Sequence, residues 1–126
     1  MPKQIHRIEG TVAPMGPYSP VVEANGFIFF SGQVAIDAST NERVDGDVSA
    51  QAAKVMENLE TLLGGVGLGF DDIVKATIFL TDMNDYAAVN EVYGARFGDS
   101  PPARSAVAVA ALPGGFNVEI EAIVAR

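Results

Sequence analysis

Residues 47–80, DVSAQAAKVMENLETLLGGVGLGFDDIVKATIFL, decide the fold because they join an amphipathic helix to a nearly continuous apolar strand. Apolar side chains recur at three- and four-residue steps through residues 52–66, which is typical of a helix lying on a sheet. Asp47 is placed to be the N-cap, and we expect the glycine pair at 64–65 to end the helix through a left-handed cap. Residues 73–80 are rich in β-branched and aromatic side chains and predict a central strand.

The sequence on either side of this unit adds strands and a second helix. Four further segments predict strands: residues 5–10, 27–33, 104–111 and 117–125. The second of them can continue through 34–36 past a glycine bulge. A helix from about Asn84 is predicted by a buried stripe, whose members are Tyr86, Val89, Tyr93 and Phe97. The resulting order predicts an α+β layer structure with both helices on one face of the sheet.

A chain of 126 residues is one ordinary domain, and we expect a single domain over residues 1–126. The two helices leave the other face of the sheet uncovered. The strand near Arg104 is mostly alanine and valine with few charges on either side. A sheet that is apolar on both faces is normally buried on both, so we predict a homo-oligomer.

Composition excludes several kinds of function. The formal net charge is −8, and so acidic a surface repels nucleic acid. The absence of cysteine and the single histidine, His6, exclude disulfides, thiolate sites and histidine-based metal clusters. We expect no metal and no cofactor. The N-terminus does not resemble a signal peptide and the apolar runs are too short to cross a bilayer, which predicts a soluble cytoplasmic protein without a membrane partner.

Arg104 is the sharpest candidate for a binding residue. It stands alone ahead of residues 105–112, SAVAVAAL, a stretch that we expect to be buried. A buried guanidinium needs an acidic partner, and its planar fork fits a carboxylate through two parallel hydrogen bonds. The partner is either an internal carboxylate, such as Glu119 or Glu121, or the carboxylate of a substrate. The residues alone leave both open and slightly favour the internal salt bridge.

Glu119 and Glu121 alternate with apolar residues and share one face of the last strand. We expect Glu121 to be solvated, whereas Glu119 can instead position a water for hydrolysis. In a simple hairpin Arg104 and Glu119 would lie about five residues apart along the ladder, or about 16 Å at roughly 3.3 Å per residue. A different strand order, a bulge or a neighbouring subunit is needed to bring them together.

Three weaker candidates lie elsewhere in the chain. Tyr18, in the proline-rich loop of residues 13–20, can offer a hydroxyl to a small ligand or simply anchor the loop. Gly32 ends a strand and allows a backbone N–H to approach an anion, although an ordinary bulge explains it better. Asn90 lies on the more polar flank of the second helix, and its role is open.

Seven short stretches, spread over nearly the whole chain, form a specific combination. They are GPYS at 16–19, FFSGQ at 29–33, VMENL at 55–59, DIVKAT at 72–77, VNEVY at 89–93, PARS at 102–105 and VEIEA at 118–122. Together and in this order they resemble the Rid family, also called YjgF/YER057c/UK114. No single stretch is decisive, but the set is specific.

The resemblance implies a chorismate-mutase-like α+β fold with a mixed sheet, and a homotrimer with a site at each subunit interface. It also implies the hydrolytic deamination of reactive 2-imino acids, or their enamine tautomers, to 2-keto acids and ammonia. An imine carbon is already electrophilic, so a catalyst need only orient the substrate and one water. No metal or cofactor is required for this reaction.

The resemblance further implies a role for individual residues. Arg104 grips the substrate carboxylate, and Glu119 helps to position the attacking water. The remaining pocket groups are the backbone at Gly32 and Ala106 and the side chains of Tyr18 and Asn90. Two positions depart from the family pattern, because Ala106 stands where cysteine is common and Ala111 where a basic residue is frequent. The first departure removes any thiol role, and the second changes the pocket rim or the trimer surface.

Two other functions compete with this interpretation. A non-catalytic trimeric binding or regulatory module would keep Arg104 for a small keto acid but would not turn over an imine. A ribonuclease or translation inhibitor, a label that the family has also carried, is disfavoured by the net charge of −8 and by the missing His/Lys acid–base pair.

Overall fold

Two helices lie on one face of a six-stranded sheet in the computed structural model, which describes residues 2–126. These residues contain eight strands: β1 (Gln4–Ile5), β2 (Val21–Ala24), β3 (Phe27–Gln33), β4 (Ile36–Asp37), β5 (Glu42–Arg43), β6 (Ile73–Leu80), β7 (Ala103–Ala108) and β8 (Val118–Ala125). The helices are α1 (Val48–Gly65) and α2 (Tyr86–Gly94). The predicted α+β fold with a mixed sheet is confirmed. Within residues 2–126, no helix is long and apolar enough to span a bilayer.

Helix α1 begins and ends where predicted, but its left-handed residue lies beyond the predicted cap. The Asp47 side chain caps it by accepting a hydrogen bond from the backbone N–H of Ala50 at 2.9 Å. The glycine pair at 64–65 forms the last two helical residues, but the predicted left-handed cap at this pair is wrong, because the left-handed residue is Gly67, with φ of 75°. A glycine is needed at residue 65 for close packing, because a Cβ atom there would collide with the side chain of Ile8, which packs directly on the helix.

The strand order is β1-β2-β3-β8-β6-β7, so the last two strands do not form a hairpin. β7 runs parallel to β6, with Arg104 opposite Ala76, because α2 carries the chain back along the sheet between them. β8 then enters between β3 and β6, antiparallel to both, and places Glu119 opposite Phe79. One edge of the sheet is therefore β7, and the other is β1.

Several strand boundaries differ from the prediction, because pairing rather than composition sets the length of a strand. The segment 5–10 is a strand only at its start, where it pairs with β2, which the sequence did not predict. Residues 34–36 do not continue β3, because a bulge after Phe30 shifts its register and the chain leaves for the separate β4–β5 pair. The strand predicted at 104–111 ends at Ala108, the last residue opposite β6.

The two faces of the large sheet differ in what covers them. Alternate residues of β3, β6 and β8 pack against the helices and form the core: Ile28, Phe30, Ala76, Ile78, Leu80, Val118, Ile120, Ala122 and Val124. On the opposite face Phe27, Phe29 and Val107 are 45%, 44% and 43% exposed. Exposed apolar side chains grouped on one face are typical of an interface. The homo-oligomer and the trimer both stay predictions.

Candidate active site

The predicted site residues form two groups on opposite faces of the sheet. Side chains alternate between faces along a strand, and directly paired residues share a face. Arg104 is paired with Ala76, which is buried against the helices, whereas Glu119 is paired with Phe79, an odd number of residues away. Arg104 therefore lies on the helix face and Glu119 on the open face. Within one chain the two residues do not meet.

Helix α2 holds the Arg104 guanidinium. Nη1 donates a hydrogen bond to Asn90 Oδ1 at 2.7 Å, and Nη2 donates one to the Tyr86 hydroxyl at 2.8 Å. The Tyr93 ring lies on the core side, with its centroid 5.2 Å from Arg104 Cζ. Ala106 is on the same face of β7 as Arg104. The structure thus brings three predicted site residues, Arg104, Asn90 and Ala106, to one place.

The two groups that accept hydrogen bonds from Arg104, the Asn90 amide and the Tyr86 hydroxyl, are uncharged. It takes part in none of the ion pairs formed among residues 2–126. The internal salt bridge considered from the sequence is wrong, because Glu119 and Glu121 both lie on the open face of the sheet. A guanidinium has more N–H donors than an amide oxygen and a phenol oxygen can use. Arg104 therefore keeps an uncompensated positive charge and free donors for an anion.

The other three predicted residues line one open cleft of about 470 Å³. Its walls are formed by Val12, Met15, Tyr18, Pro20, Ser31, Gly32, Gln33, Val34, Pro113, Glu119 and Glu121. The cleft opens where the β3 bulge separates that strand from β8. Gly32 is required there for a close approach, because a Cβ atom at this residue would lie 2.7 Å from Glu119 Cδ. The glycine therefore makes room for the Glu119 carboxylate itself.

The environment of Glu119 favours its protonated form. Burial raises the pKa of the Glu119 carboxyl above its usual value, and the neighbouring charge of Glu121 raises it further. Glu119 forms no ion pair within residues 2–126 that would oppose this shift. A carboxylate with a raised pKa is a stronger base once it is ionised.

Tyr18 both anchors its loop and faces the cleft. Its hydroxyl oxygen accepts a hydrogen bond from the backbone N–H of Met15 at 3.2 Å. Accepting this bond leaves the hydroxyl proton available to a second acceptor in the cleft. The two roles considered from the sequence are therefore compatible.

The sequence prediction missed Tyr86. It was assigned to the buried stripe of the second helix, but it is 37% exposed and contacts Arg104. Tyr86 lies in the first turn of α2 and contacts Arg104 on β7, an edge strand with no further strand beyond it, so this end of the stripe stays exposed. The available signal was the four-residue spacing to Asn90, which places both side chains on one helix face.

Outside the cleft, the titratable groups of residues 2–126 include a pair formed by His6 and Glu23. Within residues 2–126 no three His, Asp or Glu side chains are grouped so that they could hold a metal ion. The single histidine, His6, has its Nε2 atom 2.7 Å from Glu23 Oε1. His6 does not line the cleft that contains Glu119.

Comparison with known proteins matches both the sequence and the fold. The family model described as Endoribonuclease L-PSP matches residues 9–126. The chain belongs to this family, the Rid family. One relative, Protein DfrA of Myxococcus xanthus, is 52% identical over 123 residues, which cover 96% of this chain and 93% of the relative. The predicted family is confirmed.

A second relative and a solved structure carry more informative names. The 2-iminobutanoate/2-iminopropanoate deaminase of Mus musculus is 47% identical over 118 residues, which cover 92% of this chain and 87% of the relative. The crystal structure of Escherichia coli TdcF with bound serine superposes with a TM-score of 0.90 at 38% identity and covers 98% of each chain. The predicted fold is thus that of solved Rid-family structures.

Proposed function

We propose that this Rid protein is a cofactor-independent hydrolase that deaminates small 2-imino acids, or their enamine tautomers, to 2-keto acids and ammonia. The proposal rests on the contacts that Arg104 makes. Its guanidinium is held by two neutral acceptors and has no carboxylate partner among residues 2–126. Because a partly buried charge of this kind is stabilised by an anion, Arg104 is the residue that receives the substrate carboxylate.

The complete site lies between two copies of the chain in this proposal. Arg104, Asn90 and Ala106 come from one protomer, and Tyr18, Gly32 and Glu119 come from its neighbour. This division is supported by the positions of the two groups on opposite faces of one sheet. It is also supported by the exposed apolar face and by the unpaired outer edge of β7. A homotrimer would carry three such sites.

The reaction needs only positioning and one base. Glu119 accepts a proton from a water as the water oxygen bonds to the carbon of the protonated imine, which gives a neutral carbinolamine. Glu119 returns this proton to the carbinolamine nitrogen. The carbon–nitrogen bond then breaks, the hydroxyl proton passes back to the Glu119 carboxylate, and the products are ammonia and a 2-keto acid. The raised pKa of Glu119 suits a group that first takes and then returns a proton. No step uses a thiol, so Ala106 in place of the common cysteine is compatible with turnover.

The named relatives agree with this substrate class. The mouse relative is named for imino acids of three and four carbons. The Escherichia coli structure holds serine, a small amino acid whose α-carboxylate matches the group that Arg104 would bind. We therefore propose substrates with pyruvate- or 2-ketobutyrate-type skeletons.

A coupled assay tests the proposal. Threonine dehydratase generates the imine in place, and the formation of 2-oxobutanoate is timed with and without the protein. We expect the wild type to accelerate this step and Arg104→Ala to abolish the acceleration while remaining folded. Arg96→Ala is the matched control, because Arg96 forms a partly exposed ion pair with Glu60, 3.2 Å between Nη1 and Oε1, and has no hydrogen bond to Arg104.

The coupled assay combined with a binding measurement distinguishes a hydrolase from a binding module. Pyruvate binding by calorimetry without any acceleration of imine hydrolysis would identify a non-catalytic metabolite-binding protein. Absence of both would refute the proposal altogether. A nuclease has less support, since the only histidine is bound to Glu23 and the net charge is −8.

A further inference from the structure

We propose that Tyr86 is a positioning residue for Arg104, an inference that rests on the proposed function and deepens it. The Tyr86 hydroxyl fixes the guanidinium in the orientation that receives the substrate carboxylate. The contact is a hydrogen bond of 2.8 Å from Arg104 Nη2 to the phenol oxygen. Neither the sequence patterns nor the names of the relatives assign a role to this residue.

The first step of the argument is geometric. Tyr86 and Asn90 are four residues apart on α2 and present their acceptor oxygens from consecutive turns of one face. Each oxygen binds a different terminal nitrogen of Arg104. A planar group that is held at two corners has a fixed plane, whereas a group held at one corner can pivot about that hydrogen bond. Tyr86 therefore contributes the restraint that Asn90 alone does not.

The second step concerns charge. An acidic side chain in place of Tyr86 would also hold the guanidinium, but it would neutralise the charge that binds the substrate. A phenol oxygen accepts the hydrogen bond without carrying a negative charge. Arg104 thus stays oriented and fully cationic, which is the combination that a site for a small anion needs in a chain with a net charge of −8.

The third step predicts which kinetic constant responds. The substrate carboxylate has the same charge before, during and after hydrolysis of the imine. An interaction that is equally strong in the ground state and the transition state changes KM and leaves kcat unaffected. Loss of the Tyr86 hydroxyl should therefore raise KM and leave kcat close to the wild-type value.

The experiment uses Tyr86→Phe, which removes only the hydroxyl and keeps the ring that lies near Arg104. We expect KM for the imine, and Kd for pyruvate by calorimetry, to rise about three- to ten-fold, as for one weakened hydrogen bond to a charged group. Met83→Leu is the control, because Met83 is 47% exposed, precedes the same helix and has no hydrogen bond to Arg104. Circular dichroism and thermal unfolding establish that both variants fold.

Each outcome has a distinct meaning. A raised KM with unchanged kcat supports the inference. A lowered kcat with unchanged KM overturns it, because that result indicates a loss of active protein. Unchanged constants also overturn it and leave the proposed hydrolase intact. A wild type that binds pyruvate but has no turnover overturns the hydrolase, and Kd alone then decides the role of Tyr86. A wild type with neither property overturns both.

Discussion

Gly32→Ala should inactivate the protein without unfolding it. A Cβ atom at residue 32 would lie 2.7 Å from Cδ and 3.0 Å from Cγ of Glu119. An ordinary contact between carbon atoms needs about 3.5 Å, so the carboxyl carbon of Glu119 must retreat by about 0.8 Å. A misplacement of about 1 Å costs on the order of 100-fold in rate. We expect kcat to fall by about this factor, and KM to change little because Arg104 is untouched.

The assay is the coupled formation of 2-oxobutanoate, with Gly64→Ala as the matched control. A Cβ atom at Gly64 would have no atom within 4 Å, and this residue lies inside α1, where alanine is favoured over glycine. The double variant Gly32→Ala/Glu119→Ala gives a second readout. If Gly32→Ala acts by displacing Glu119, the double variant should have the same kcat as Glu119→Ala alone. A folded Gly32→Ala protein with wild-type kcat would refute the reasoning.

Two further predictions concern the open face of the sheet. The pKa of Glu119 in the folded chain is raised above 4.5, so its protonation stabilises the fold at low pH and this contribution is lost as the pH rises through the raised pKa. At neutral pH, Glu119→Gln should therefore unfold at a higher temperature than the wild type, and the difference should shrink at acidic pH. The same variant should lose the rise of kcat with pH. A difference in unfolding temperature that stays constant across this pH range, measured by calorimetry, contradicts the raised pKa of Glu119. Phe29, 44% exposed on the apolar face, should be buried between protomers, so Phe29→Lys should yield smaller particles in sedimentation and at least about ten-fold less turnover. An unchanged oligomer would exclude this face as the interface.

Local sequence patterns predicted the elements better than their partners. The run from residue 47 to residue 80 specified α1 and β6 because a helix period and a β-branched run are properties of neighbouring residues. The strand order is not such a property. α2 returns the chain so that β7 lies at the far edge of the sheet, and β8 pairs with β3 and β6 between them. No pattern in residues 117–125 predicts these partners. The short β2 was missed because pairing with β3 defines it.

The site was predictable to a similar degree. The residue types of Arg104 and Glu119 follow from the chemistry and the family resemblance, but the face on which each lies depends on the strand register. An ordinary bulge was the preferred explanation of Gly32 from its residues, and β3 does contain a bulge there, whereas only the family resemblance implied a backbone contact to substrate. The structure adds a further reason, namely the space that Gly32 leaves for Glu119. Tyr86 was assigned to the core because a helix period does not show that this end of the stripe meets β7, an edge strand of the sheet.

The separation of Arg104 from Glu119 on opposite faces has a chemical consequence. Adjacent in one chain, the two would pair, and the arginine would lower the pKa of the glutamate while losing its own free charge. Apart, Glu119 keeps a raised pKa and Arg104 keeps its affinity for an anion. In the proposed assembly the substrate carboxylate takes the place of that internal partner. Arg104 and Glu119 then come together only around the substrate, between protomers. Turnover per protomer should therefore fall when the protein is diluted below the dissociation constant of the assembly.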